Sequence, residues 1–197
     1  MGVRTTCWGP HAWKCIHSVA DWLDKHGTKT QRRIFFINLQ YVLPCIHCRR
    51  SYGKFLIDLR HEGASRWSAR FLAYRIHQCV NAKLRAQGHK IDEPRFEDLP
   101  RYRSIRQRDT LAFMRYAMMD YDKKRWRRVV TWITNVCSMV PKWNAAWPRA
   151  HTTVASYRST PLERVRALCV LNGTKTCQAK PFVDAVVGCK KNGYGCF

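Results

Sequence analysis

The first hundred residues break into four helix-length segments joined by short interruptions, with almost no strand signal, and this pattern constrains the fold most. Residues 10–26 carry Ile16, Val19, Ala20 and Leu23 on one face and end before Gly27. Residues 31–43 keep Ile34, Ile37 and Tyr41 in helical step and are stopped by Pro44. A third segment starts at Pro44, runs to residue 60, and is closed by His61-Glu62-Gly63. Ser65 is a good N-cap for a fourth, which extends to residue 87 before Gly88. Four such helices with brief connections are expected to form an antiparallel four-helix bundle, so the fold class is all-α.

The second half is less regular. Residues 88–104, with Pro94, Pro100 and mixed charges, read as a connector. Residues 106–120 are expected to be helical through Leu111, Met114 and Met118, and residues 123–139 through Trp126, Val129, Val130, Ile133 and Val136. The run Lys123 to Arg128 interleaves Trp126 with cations, and the favoured role for Trp126 is a core anchor flanked by solvated charge. Residues 141–161, rich in Trp, Pro, Ser and Thr, are expected to be irregular. A short helix over 161–171 precedes an Asn172-Gly173 turn, and the glycine-rich end is expected to be flexible. The division expected is a helical domain over 1–100 and a basic, mostly helical extension over 101–197.

The chemistry-bearing stretch is Pro44-Cys45-Ile46-His47-Cys48. Proline at the first position of a helix forfeits no hydrogen bond. The partial positive charge of the helix N-terminus then favours thiolate over thiol on an adjacent cysteine. Trp13 and His17, and likewise His77 and Asn81, lie four residues apart, so each pair shares a helix face. Two such stripes suit a flat aromatic cofactor.

Composition sets bounds around that site. No stretch approaches the ~20 apolar residues that span a bilayer, and no basic-then-apolar leader opens the chain. The chain therefore reads as soluble and made without export. Ten cysteines conflict with that reading if they are structural disulfides, which reducing cytosol disfavours. An enzyme that forms disulfides removes the conflict. Zinc is the competing use, but only Cys45 and Cys48 have the usual two-residue gap, so no metal site is expected. The formal charge is +23, and residues 101–197 carry 19 Lys and Arg against 5 Asp and Glu. Such an excess attracts polyanions or acidic proteins, or simply keeps the surface solvated.

Three ordered motifs carry a resemblance. Trp13-Lys14-Cys15-Ile16-His17-Ser18-Val19-Ala20 resembles the W-x-x-L-H-x-x-A opening of the Erv/ALR family of FAD-dependent sulfhydryl oxidases. Residues Pro44 to Cys48 match that family's P-C-x-x-C, and His77 to Leu84 are similar to its H-N-x-V-N-x-K-L. The resemblance covers roughly residues 8 to 95. Gln78 departs from the family's first Asn, Leu43 stands where an aromatic is common, and Cys79 lacks a cysteine at the family's usual gap, near Phe96.

The resemblance implies FAD as cofactor, with Cys45 as the sulfur that exchanges with substrate and Cys48 as the sulfur facing the flavin. It implies cofactor contacts from Gly9, Trp13, His17, Cys48, His77, Val80, Asn81, Lys83 and Leu84. Electrons would pass from thiol-containing protein substrates through the cysteine pair and FAD to oxygen, yielding hydrogen peroxide. It also implies a homodimer. With no targeting segment in view, the chain is most like members encoded by large DNA viruses, acting in host cytoplasm or virion. Cys189 and Cys196 bracket a Lys- and Gly-containing segment and are candidates for a mobile shuttle pair. The alternative use is static pairing with Cys169 and Cys177. Two other function classes stand beside the oxidase: a basic nucleic-acid-binding or assembly protein without flavin, and an exchange protein without its own electron acceptor. The absence of a βαβ pattern around Cys45 speaks against the last.

Overall fold

A computed structural model describes residues 3–120, 122–173 and 178–191, with side chains to Val187 in the last segment. The fold is all-α, and no strand occurs among the described residues. Helices α1 (Thr5–His26), α2 (Lys29–Val42), α3 (Ile46–His61) and α4 (Ala69–Ala86) fill the first half. Helices α5 (Gln107–Met119), α6 (Trp126–Ser138), α7 (Pro141–Ala155), α8 (Pro161–Leu168) and α9 (Ala179–Lys191) follow. Contacts run from α1 to α4, α4 to α3, α3 to α2 and α2 back to α1.

Local chemistry explains most boundaries. The Thr28 hydroxyl accepts the Gln31 N–H at 3.1 Å while the Gln31 side chain accepts the Thr28 N–H at 3.0 Å, a reciprocal cap on α2. Ser68, not Ser65, caps α4 by accepting the Phe71 N–H at 3.1 Å; residues 64–66 form a separate 3₁₀ turn. The Asp24 carboxylate, near the end of α1, takes the N–H groups of Ala69 and Arg70 at 2.6 and 2.9 Å. This pins the C-terminal end of α1 to the N-terminal end of α4, so the two run antiparallel. Gly88, at φ 86°, ends α4 in the left-handed conformation that lets His89 N–H reach Leu84 O. The connector after it is tied down by Arg70, which pairs with Asp21 at 3.3 Å and donates to Leu99 O at 2.8 Å.

One core joins both halves of the chain. Its aromatic thread runs from Trp8 in α1 to Phe113 in α5 (6.0 Å), Trp132 in α6 (5.8 Å) and Phe35 in α2 (5.5 Å between ring centres). Packing of α5 on α1 and α6 on α2 makes this continuity. Trp126 is half-buried against the core, the anchor expected of it.

Four further expectations are corrected. Helix α1 starts at Thr5, so Pro10 sits inside it. Ile37 is 42 % exposed and does not join the core. Residues 141–155 are helical despite Pro148, because Trp143, Ala146, Trp147, Ala150 and Val154 bury one face. That burial outweighs the roughly 3 kcal/mol a helix-interior proline costs. Residues Ala179–Lys191 form helix α9, with Ala179 and Val186 buried, where flexibility is expected from composition; the rest of that glycine-rich end lies outside the described residues.

Candidate active site

The antiparallel register of α1 and α4 brings two of the three motifs together. Trp13 and His77 stack with ring centres 3.6 Å apart and planes 11° off parallel. His17 Nε2 lies 3.1 Å from His77 Nδ1, so one imidazole donates to the other. Burial, and secondly the Arg70 charge, pushes His17 down to about 4. Burial and then the neighbouring His17 do the same to His77, also to about 4. Both rings are therefore neutral at physiological pH.

A cavity of about 620 Å³ opens between α1, α3 and α4, within the range typical of cofactor sites. Its walls are largely apolar and aromatic: Trp8, Trp13 and Ile16 from α1, Tyr52 and Phe55 from α3, Val80 and Leu84 from α4. Cys48 stands in the α3 wall beside His47 and Ser51. Lys83 crosses from α4 and donates to Ser51 Oγ at 2.8 Å, placing a cation in the lining. A Cβ added at Gly9 would meet no atom within 4 Å, so the glycine leaves space at the cavity wall rather than relieving a clash.

The third motif differs in detail from expectation. Helix α3 begins at Ile46; Pro44 precedes the cap and Cys45 is the N-cap residue, extended at φ −151° and ψ 124°. Its sulfur accepts the Cys48 N–H at 3.3 Å. A sulfur in the cap position receives the helix's unsatisfied N–H directly, which proline at that place could not arrange. Cys45 has no exposed surface, whereas Cys48 is partly open. Val3, itself 1 % exposed, donates its N–H to Pro44 O at 2.8 Å and accepts from Trp8 Nε1 at 3.0 Å. The N-terminal segment is thus clipped against the turn that holds Cys45.

Arg49, the residue after Cys48, ties that turn to the second half of the chain. Its Nη1 donates to Leu43 O at 2.8 Å and to Asp120 Oδ2 at 2.6 Å. Arg125 also reaches Asp120 and donates to Tyr41 O at 2.7 Å. Two of the carbonyls left open at the end of α2, those of Tyr41 and Leu43, are satisfied by these two arginines.

Of the residues singled out from sequence, Gly9, Trp13, Cys48, Val80, Lys83 and Leu84 line the cavity. Cys45, His17, His77 and Asn81 do not; Cys45 is buried in the turn before α3, the His77 ring stacks on Trp13 with His17 bonded to it, and Asn81 is 7 % exposed. Sequence reasoning missed Trp8, Tyr52, Phe55, His47 and Ser51. Cys48, Tyr52 and Phe55 recur at helical spacing, the signal that would have found them. Burial raises Cys15 and Cys137 to about 12, which makes them inert core thiols. Cys79 is a half-buried thiol, raised chiefly by burial. Cys169 is disulfide-bonded. The shuttle candidates fall outside what is described: Cys196 lies beyond the described residues, and for Cys189 only the backbone, within α9, is described.

No protein-family model, curated protein or solved structure matches this chain. Among the described residues no helix is long and apolar enough to cross a membrane.

Proposed function

We propose that the chain is an FAD-dependent sulfhydryl oxidase whose helical core from α1 to α4 holds the cofactor and whose redox pair is Cys45 and Cys48. The observation that carries this reading is the position of Cys48 in the wall of an aromatic cavity that also collects Gly9, Trp13, Val80, Lys83 and Leu84. These residues fit a flavin: Trp13, held by His77 on one face, suits a flat ring, and Lys83 suits a pyrophosphate. When bound, FAD would supply the two-electron acceptor that side chains lack and return those electrons to oxygen as hydrogen peroxide.

The protein's own part is thiol–disulfide exchange. A substrate dithiol loses two protons and two electrons and closes its S–S bond, while the Cys45–Cys48 S–S bond opens to two thiols. The Cys48 N–H and the start of α3 stabilise negative charge on the Cys45 sulfur as it leaves or attacks. The Cys45 sulfur has no exposed surface, so access of a protein thiol to it requires the residues around the turn to move. His17 and His77 act as the backing that fixes Trp13.

Purified protein should be yellow, release FAD on denaturation and consume oxygen with dithiothreitol. A colourless preparation that takes up no added FAD refutes the reading.

A further inference from the structure

The turn that carries Cys45 stands at the end of a face from which carboxylates are missing. Helices α2 and α6 pack antiparallel. Arg125, just ahead of α6, donates to Tyr41 O near the end of α2, while Asn135 donates to Gln31 O near its start at 3.0 Å. Neither helix contains an Asp or a Glu. Arg127 and Arg128 are exposed at the start of α6, and the Arg128 guanidinium lies 5.8 Å from the Tyr41 ring. From Tyr41 the chain needs only Val42, Leu43 and Pro44 to reach Cys45, and Arg50 is exposed just beyond Cys48. The carboxylates at this corner are engaged already: Asp120 with Arg49 at 2.6 Å and with Arg125, Asp122 with Arg125 at 2.5 Å. Arg127 and Arg128, at the end of α2 that leads into the redox turn, remain as a positive rim, with Arg50 exposed two residues past Cys48.

We propose that this rim selects the substrate: the pair oxidises cysteine dithiols carried in acidic protein segments, which dock across Arg50, Arg127 and Arg128. The proposal rests on the sulfhydryl oxidase reading and adds its substrate class. The bond changes are those given above, with the acidic segment supplying the dithiol that closes and the Cys45–Cys48 disulfide taking its two electrons and two protons. Charge complementarity at a rim acts on encounter, raising association rates by roughly 10- to 1,000-fold at low salt. A nucleic-acid strand is the other polyanion that fits the charge, but it also wants bare aromatic faces on which bases stack. Here Arg127 lies over Trp126 at 5.7 Å and Arg128 over Tyr41, so both half-buried rings are already covered by cations.

The test uses the full, FAD-loaded chain with dithiothreitol and with two dithiol peptides that differ only in Asp/Glu or Lys flanks. At about 20 mM salt the acidic peptide should exceed the basic one in kcat/KM by about 10-fold or more, falling to within about 3-fold at about 0.5 M salt. Arg127→Glu/Arg128→Glu should erase most of that preference and leave dithiothreitol turnover unchanged; Arg127→Gln/Arg128→Gln should fall between. Equal rates for the two peptides, or a preference that survives both variants, overturns the proposal. So does a single-stranded oligonucleotide that binds the rim in preference to the acidic peptide at equal charge and is released by Arg127→Glu/Arg128→Glu. Absence of dithiothreitol oxidation defeats the oxidase reading instead. Fluorescence anisotropy of a labelled acidic peptide with Ser in place of Cys then still decides whether the rim binds acidic segments.

Discussion

Acid should unfold this protein through the two imidazoles behind Trp13. Both His17 and His77 sit at about 4 in the folded chain, chiefly because burial penalises the charged ring. A histidine in an unfolded chain titrates near 6.5. The folded values are depressed, so the unfolded state binds more protons as pH falls below about 6.5. The stability tied to the pair is fully present above that pH and is lost progressively down to about 4. A drop of roughly 2.5 units is worth about 3 kcal/mol per ring, so about 7 kcal/mol bounds the pair. The indole works in the other direction, because an imidazolium over Trp13 gains about 1 kcal/mol of cation–π attraction. The shared hydrogen bond makes the rings titrate as one unit.

A loss of about 4–6 kcal/mol remains, comparable to the whole stability of an ordinary domain. Urea unfolding followed by tryptophan fluorescence at several pH values between about 7 and 4 measures it. His17→Gln/His77→Gln removes both titrating groups and should flatten the pH dependence while lowering stability at neutral pH. An identical pH slope in wild type and double variant would refute the argument and place acid sensitivity elsewhere.

Four further outcomes follow from the geometry. Gly9→Leu should abolish FAD uptake by filling the cavity edge, yet leave stability unchanged or raised by up to about 1 kcal/mol, since a Cβ there meets nothing within 4 Å and helix propensity improves; a melting curve with a flavin titration checks both. Cys48→Ser should stop dithiothreitol oxidation with FAD still bound, and retained turnover would remove Cys48 from the redox pair. Deleting residues 1–4 removes the Val3 contact to Pro44 and should speed alkylation of Cys45 by about 10-fold or more, read by peptide mass spectrometry; an unchanged rate removes that segment as a cover. Asp120→Asn leaves Arg49 and Arg125 without their shared carboxylate and should cost about 1–3 kcal/mol in chemical denaturation, since both sides of the Arg49 pair are mostly buried.

Much of this protein is written in local pattern. Helices α1, α2, α4, α5 and α6 follow from apolar residues at three- and four-residue steps and, for α4, from Gly88 as a stop, because each signal acts within one or two turns; the pattern pointed to Ser65 as the α4 cap, whereas Ser68 holds it. The same spacing put Trp13 with His17 and His77 with Asn81 on common helix faces. Helix α7 was hidden because Pro148 is a local breaker, and only burial of Trp143, Trp147 and Val154 against distant helices outweighs it.

Spacing cannot fix how far a helix is rotated about its axis or which neighbour it meets, since those depend on side-chain volumes brought together from the whole chain. Packing therefore decided that Trp13, Val80, Lys83 and Leu84 face a cavity while His17, His77 and Asn81 stay off its walls. Packing also placed Phe55 and Trp8 in that wall, Val3 against the turn of Cys45, and Asp120 from the second half of the chain on Arg49 beside the redox pair. The sequence by itself determined which residues are chemically equipped to act; the long-range fit of α1, α3 and α4 determined which of them share the cavity.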